Sequence, residues 1–399
     1  MPITIRPVEK VYFDGSHRSR SPGETDAVVK PLMSGIGVTE ITDITPLDRT
    51  GIPVFAAVRP GAARGAVRVY TGAGKEAVQA RVSAMMAAIE RCCAEYHGDH
   101  MDYASYEEIG PARALHPEDL ILPRELEQGE VVHWTPARDI LNDEDLYVPS
   151  NAVFHPYDSL GLTTPLFRSD TNGLAAGNVM EEAIFHALLE VIERDALSIA
   201  DAGRNPGRRL TIEKDCAARG LLERFEQNGI EIHLWLLDGR TEIPTVAATA
   251  DDTVTRDPAM ILTGSASHLS PEAAAFQALT EVAKRRGSIL HGEPGDIRRE
   301  AVIRKAGYER LKRINRIWFG NADAVDLADI PDMSTGRFDL DIRRVLDEVA
   351  PHTDRVCVCD LTRTPIPVVR AIIPGFEVSC MDPRRRRSAR DAGINPQVI

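Results

Sequence analysis

The stretch that decides the fold is residues 171–196, "TNGLAAGNVMEEAIFHALLEVIERDA". From Asn178 onward, polar positions 178, 182, 186, 190 and 193 recur at helical spacing and read Asn, Glu, His, Glu, Glu. At about 100° per residue they stay within an arc of roughly 80–120°, one stripe of a helix that runs to about residue 200. Ala183, Ile184, Ala187, Leu188, Leu189, Val191 and Ile192 occupy most of the remaining circumference. A helix apolar nearly all round is buried, so a carboxylate stripe on it faces an internal cavity. Like charges one turn apart destabilise a helix, and when buried they protonate or are met by cations. An oxygen-rich site of this kind suits Mg²⁺, which is held by one or two carboxylates together with phosphate oxygens. The alternative is a surface stripe in which Asn178 and Glu181 form a cap pair; Asn178 caps the helix on either reading.

The middle of that helix, "HALLEVIER" at 186–194, has two near-copies: "SAMMAAIER" at 83–91 and "QALTEVAKR" at 277–285. The copy at 277–285 puts Glu281 where Glu190 sits and is followed by Arg286; the copy at 83–91 puts Glu90 where Glu193 sits. Either three equivalent helices line one nucleotide-and-metal cavity, or they are ordinary amphipathic helices of similar composition.

Outward from these helices the chain alternates strands and helices. "VFAAV", "VRVYTG", "IEIHLWLL", "TVAATA", "AMILTGSA", "RVCVCDL" and "PVVRAIIPG" read as strands, and "LYVPSNAVFH" as extended. A helix starts at Ser270, with Pro271 in its first position, and further helices are expected near 297–314 and 339–350. Strands at 230–237, 244–250 and 259–265 are joined by short turns, which favours antiparallel pairing. The fold class is mixed α and β with a large antiparallel component. "GAGK" at 72–75 lacks P-loop spacing and reads as a helix-start turn or as a backbone cradle for phosphate.

Composition narrows the function classes. The 399 residues suffice for a large core, and 43% are apolar. The net charge of −13 argues against nucleic-acid binding, which needs a basic surface. No apolar run reaches about 18 residues, so no membrane span is expected. Six cysteines are too few for a disulfide framework, and "VCVC" has strand rather than zinc spacing; reduced core thiols in a cytoplasmic protein are expected. The basic run "PRRRRSAR" at 383–390 reads as a solvated tail or a dock for an acidic partner.

The 171–196 stretch resembles the signature of the YcaO family, whose members use ATP to activate peptide-backbone amides. "SAMMAAIER" resembles that family's Ser-x-x-x-Glu-x-x-Glu-Arg helix, and "GSASHLSPEAAAFQALTEVAKRR" resembles its third ATP-site segment. "IGVTEITDITPLDRTGIPV" and "PVVRAIIPGFE" are similar to methanogen-type members that thioamidate a glycine. The resemblance covers about residues 14–377. It implies ATP and Mg²⁺ as cofactors, held by Ser83, Glu90, Asn178, Glu182, Glu190, Glu193, Arg194, Glu281 and Arg286, with Glu90, Glu182, Glu190 and Glu193 on the metal. Arg18 and Thr25 fit a family pattern of a basic residue and a hydroxyl seven positions apart, or else form a surface turn. His186 lies on the stripe as a structural residue, a hydrogen-bond partner or a proton carrier.

The implied reaction is thioamide formation by external sulfide; the alternatives are azoline formation by cyclodehydration and a degenerate nucleotide-binding scaffold. The ending "DAGINPQVI" lacks the Pro-x-Pro-x-Pro tail common in azoline formers, and no peptide-binding domain stands ahead of residue 14, so thioamidation is expected. The expected partners are a peptide or protein substrate, including a glycine site like that of methyl-coenzyme M reductase, a TfuA-like protein and a sulfide donor. A homodimer is left open. Residues 1–379 are expected to form one catalytic domain, with 1–30 contributing to the site and 380–399 as a basic tail. Three positions depart from the family pattern. Ala87 stands at an expected Glu ligand, Gln277 replaces an Arg and Lys284 replaces a Gln, so weaker metal affinity is expected.

Overall fold

The structure is a computed structural model that describes residues 3–99, 101–158, 160–292 and 297–385. In chain order, α1 (Pro22–Val29) is followed by β1 (Glu40–Asp43), β2 (Val54–Val58), β3 (Val69–Ala73) and α2 (Ala77–Ala94). Next come β4 (Asp102–Ser105), α3 (Tyr106–Ile109), β5 (Val131–Asp139), β6 (Glu144–Pro149), β7 (Leu174–Ala176) and α4 (Met180–Gly203). The chain continues through β8 (Arg208–Thr211), α5 (Ala217–Gln227), β9 (Ile230–Leu236), β10 (Thr245–Asp252), β11 (Leu262–Ser267) and α6 (Pro271–His291). It closes with α7 (Ile297–Ala306), α8 (Tyr308–Ile314), β12 (Ala324–Asp326), α9 (Phe338–Val349), β13 (Cys357–Asp360) and β14 (Val368–Ile372).

The strands form three sheets, ordered β1-β2-β3, β11-β10-β9-β8-β12 and β4-β5-β13-β14-β7, with β6 on β5. Among the described residues every strand-to-strand pairing is antiparallel except β12 on β8, and the 230–267 meander pairs as its short turns require. The class is mixed α and β with antiparallel-rich sheets.

Three strand–helix units position the site. In each, a glycine removes the side chain that would hold the helix off its strand. A Cβ on Gly72 of β3 would lie 2.2 Å from Ala84 N of α2, and one on Gly177, after β7, 2.4 Å from Ala183 N of α4. One on Gly264 of β11 would lie 2.5 Å from Ala278 O of α6. With no side chain in the way, helix backbone packs directly on strand backbone, and the same helical face is presented three times. α4 is the central element, buried on most sides as its apolar circumference demands, and packed on β7, β14, β11 and α9.

The start of α4 differs from expectation. Val179 is its N-cap and makes no side-chain cap bond, while Asn178 turns its amide inward. Glu181 is taken by Arg6, which donates its backbone N and Nε at 2.9 Å, so no Asn178–Glu181 cap pair forms. The expected 297–314 helix is broken in two at Gly307, which has φ +82°. The six cysteines are free, and Cys357 and Cys359 are buried on β13. No helix among the described residues is long and apolar enough to cross a membrane. Of the basic run at 383–390, residues 386–390 lie outside the described residues. Arg385 is not solvated: it is buried against the Phe167 ring and donates to Asp170 at 2.9 Å, because Asp170 and the carbonyls of Leu120 and Ile121 satisfy its guanidinium.

Candidate functional site

The stripe on α4 faces inward. Glu182, His186, Glu190, Glu193 and Arg194 line a cavity of about 480 Å³, which Ser83 and Glu90 of α2 and Gln277, Glu281 and Lys284 of α6 close from the other sides. Arg18, Thr25 and Asn178 line it as well. Ten of the eleven residues proposed from sequence therefore come together.

Arg286 is the exception. Its guanidinium bonds Asp48 at 2.8 and 2.9 Å and Asp252 at 3.2 Å, buried on the far side of α6. Helical geometry explains the error. Position 286 lies five residues, about 140° around the helix, from 281, whereas 277 and 284 fall close to the line of 281. Arg286 is a core tie rather than a site residue.

The N-terminal segment forms the lid of the α4 end. Ser21 and Glu24 form a reciprocal capping box at the start of α1, with Pro22 in its first turn. That box fixes the preceding loop over α4, where Ser19 N and Oγ donate to Glu182 at 2.9 and 2.7 Å. Thr25 Oγ1 donates to Asn178 at 2.9 Å, and Asn178 Nδ2 to Glu182 at 3.1 Å. Arg18 stands 3.5 Å from the same carboxylate. Arg18 and Thr25 thus belong to the cavity wall and are not a surface turn. Ser19, which contributes most to Glu182, gave no sequence signal.

Farther along α4, Glu193 accepts from Ser265 Oγ at 2.6 Å and meets Arg194 at 3.0 Å, while Arg194 lies 3.5 Å from Glu190. Burial pushes the Glu193 carboxyl up, against the pull of Arg194 and Ser265. Burial works to lower Arg194, but Glu193 and Glu190 hold it above the ordinary guanidinium value, so it stays charged. Glu90 is pushed up to about 7 by burial, partly offset by Arg91. Glu281 goes the other way: burial opposes its ionisation, yet Lys284 and Arg285 hold it at about 2. His186 stands against the Phe185 ring and is kept neutral by burial and the nearby Arg18 charge.

Several buried donors around the cavity have no protein partner: Arg91 Nη1, Arg194 Nε and Gln277 Nε2, with His186 Nε2 beside them. An unmet buried N–H costs about 1–3 kcal/mol, so such groups persist where something outside the fold meets them. Arg91 was legible as the last letter of "SAMMAAIER"; Ser265 lies in the recognised "GSASHLS" segment, but its bond to Glu193 was not legible, since it follows from β11 lying beside α4. "GAGK" ends β3 and leads into α2; Ala73 and Gly74 line the cavity, while Lys75 is held by Asp14 at 3.0 Å.

Carboxylates and unpartnered cationic donors around one cavity suit a polyphosphate with a divalent ion. The profile of the family described as "YcaO cyclodehydratase, ATP- and Mg²⁺-binding" matches residues 71–377. The chain belongs to the YcaO family. An uncharacterised protein of Methanothermobacter thermautotrophicus is 46% identical over 373 residues, covering 91% of this chain and 96% of that protein. The structure of YcaO from Methanopyrus kandleri bound with AMPPCP and Mg²⁺ is similar at a TM-score of 0.79, with 28% identity over 95% of this chain and 97% of the other. A heterocyclase in complex with substrate and cofactor reaches 0.82 at 21% identity, covering 94% of this chain and 54% of its own, a likeness of fold. ATP and Mg²⁺ are the cofactors of the YcaO family, and the orphaned arginine and amide donors facing the carboxylates fit them.

Proposed function

We propose that this YcaO protein uses ATP to activate a peptide-backbone amide and replaces its oxygen with sulfur, leaving a thioamide. The reading is carried by one observation: three helices turn Glu90, Glu182, Glu190, Glu193 and Glu281 toward the unpartnered donors of Arg91, Arg194 and Gln277 in one cavity. The metal ligands are drawn from Glu90, Glu182, Glu190 and Glu193, with Asn178, Ser83, Thr25, Arg18 and Arg194 around the nucleotide. Residues 1–379 act as one catalytic unit.

An amide carbon is a weak electrophile, because resonance shares the nitrogen lone pair. MgATP, when bound, supplies the phosphoryl group that turns the amide oxygen into a leaving group. Atoms and charge balance as amide, hydrosulfide and ATP giving thioamide, ADP and phosphate. The chain's share is electrostatic: Arg91 and Arg194 present fixed positive charge to the phosphate oxygens, and burial strengthens that attraction. Glu190 and Glu193 keep Arg194 charged and in place. His186, neutral and with Nε2 free of protein partners, offers a hydrogen bond at the cavity wall. None of the six cysteines lines the cavity, which supports sulfur arriving from outside, as sulfide or through a TfuA-like partner. The resemblance of "IGVTEITDITPLDRTGIPV" and "PVVRAIIPGFE" to thioamide-forming members supports this outcome over ring formation.

Azoline formation is the second reading, favoured by the family's description as cyclodehydratases and by the similar heterocyclase fold. Mass spectrometry separates the two. The peptide substrate is incubated with protein, MgATP and sulfide, with and without the TfuA-like partner. A gain equal to the sulfur–oxygen difference supports thioamidation, and loss of one water supports the second reading. ATP consumption with an unchanged peptide defeats both.

A further inference from the structure

At the α6 end of the cavity, both oxygens of Glu281 are committed to cations of its own helix: Oε2 to Lys284 Nζ, and Oε1 to Arg285 Nε at 3.1 Å. The charge of Lys284 also reaches Glu90 on α2, whose nearest cation is Arg91 at 3.5 Å. Two carboxylates therefore meet three cations here. Counted in ion pairs among the described residues, the balance at the α4 end is reversed, with Glu182, Glu190 and Glu193 paired to Arg18 and Arg194. One turn before Glu90 the wall carries Ala87, with no oxygen to offer, and one turn before Glu281 it carries Gln277, whose amide is uncharged.

A divalent ion needs anionic oxygens with lone pairs to spare, and it is repelled by fixed cations. The α6 end offers the first poorly and the second strongly, whereas the same surplus of positive charge attracts phosphate oxygens. A lysine suits that task, being a compact charge with three donors on a flexible stem. We propose that Lys284 is the resident cation at the α6 end, meeting the nucleotide's phosphates directly in place of a divalent ion, so that of the four carboxylates proposed above as ligands Mg²⁺ is confined to Glu182, Glu190 and Glu193 of α4, while Glu90 faces Lys284 instead. The inference rests on the reading of the cavity as an ATP site.

The test counts metal rather than product. Wild type, Lys284→Gln and Lys284→Arg are dialysed to equilibrium with Mn²⁺ and a non-hydrolysable ATP analogue, and bound Mn²⁺ per bound nucleotide is measured. Wild type and Lys284→Arg are expected to hold the same number, and Lys284→Gln one more. When metal is limiting, Lys284→Gln should bind the analogue about tenfold more weakly, recovering in excess Mn²⁺. Lys284 is a third exposed, so neither substitution threatens folding. An equal metal count in wild type and Lys284→Gln, with nucleotide bound to both, overturns the inference. Failure of the wild type to bind the analogue at all removes the site reading and this inference with it.

Discussion

Glu90→Gln should make the ligand-free protein more stable at alkaline pH, even though it alters the candidate site. Burial lifts the Glu90 carboxyl from an ordinary 4.5 to about 7, and Arg91 only partly offsets it. Between those values the folded protein keeps a proton that the unfolded chain has released. The stability contributed by this group is therefore fully present below about pH 4.5 and is lost as pH rises through about 7. At about 1.4 kcal/mol per pH unit, the gap from 4.5 to about 7 amounts to about 3 kcal/mol. Gln has nearly the same shape and does not ionise, so the variant keeps what the wild type loses. With an unfolding entropy of about 2.1 cal/mol/K per residue over 399 residues, the difference in Tm is about 4 °C. The assay is thermal unfolding in chelator-treated, nucleotide-free buffer from about pH 5 to about pH 8, checked by urea midpoints. The two curves should nearly meet at the acid end and separate in favour of Glu90→Gln at the alkaline end. Parallel curves across that range would show that Glu90 ionises as a solvated carboxylate, and the inward-facing reading of α2 would be wrong.

Three further outcomes follow from individual contacts. Glu190→Gln should abolish ATP consumption with an unchanged circular dichroism spectrum, since Glu190 has lower structural commitment than Glu193; normal turnover would reject its place in the site. Gly264→Ala drives a methyl to 2.5 Å from Ala278 O and should cost about 1–3 kcal/mol or more, read as a lower urea midpoint. Arg286→Ala removes the buried cation between Asp48 and Asp252, leaving Asp48 only the Thr50 hydroxyl and Asp252 the more exposed Arg49, and should cost about 3–5 kcal/mol, while the folded fraction binds nucleotide with unchanged affinity.

Periodicity carried much of this architecture because α4 obeys one rule along its length: apolar residues around most of the circumference and one polar stripe imply burial beside a cavity, and both are present. The antiparallel meander was equally legible, because short turns leave strands no room to cross over. What one sequence could not provide was rotation about an axis or contact across the chain. Arg286 looked like an extension of the Glu281 phrase, yet its position around α6 turns it toward Asp48. Asn178 looked like a cap because it precedes a helix, but Thr25, 153 residues away, holds it inward. Ser19 has no local pattern at all, and Ser265, although it lies in the "GSASHLS" segment, carries no mark of its own; they matter because the N-terminal loop and β11 pass beside α4.

The three departures from the family pattern are better understood together than as separate losses. In the pattern that the resemblance implies, Arg stands at position 277 and Gln at 284, so on that comparison a positive charge has moved seven residues along α6 rather than disappeared. Seven residues bring it back to nearly the same face, about 10 Å farther along the axis, within reach of Glu90 and Glu281. The lost carboxylate at Ala87 lies on the α2 wall one turn from Glu90, the carboxylate that this charge reaches. Removing an anion and bringing up a cation both reduce the attraction of that end for Mg²⁺. Two changes acting in the same direction at one end of one cavity do not describe random decay, which would spread across the α4 stripe as well. That stripe, Asn178, Glu182, Glu190, Glu193 and Arg194, is complete.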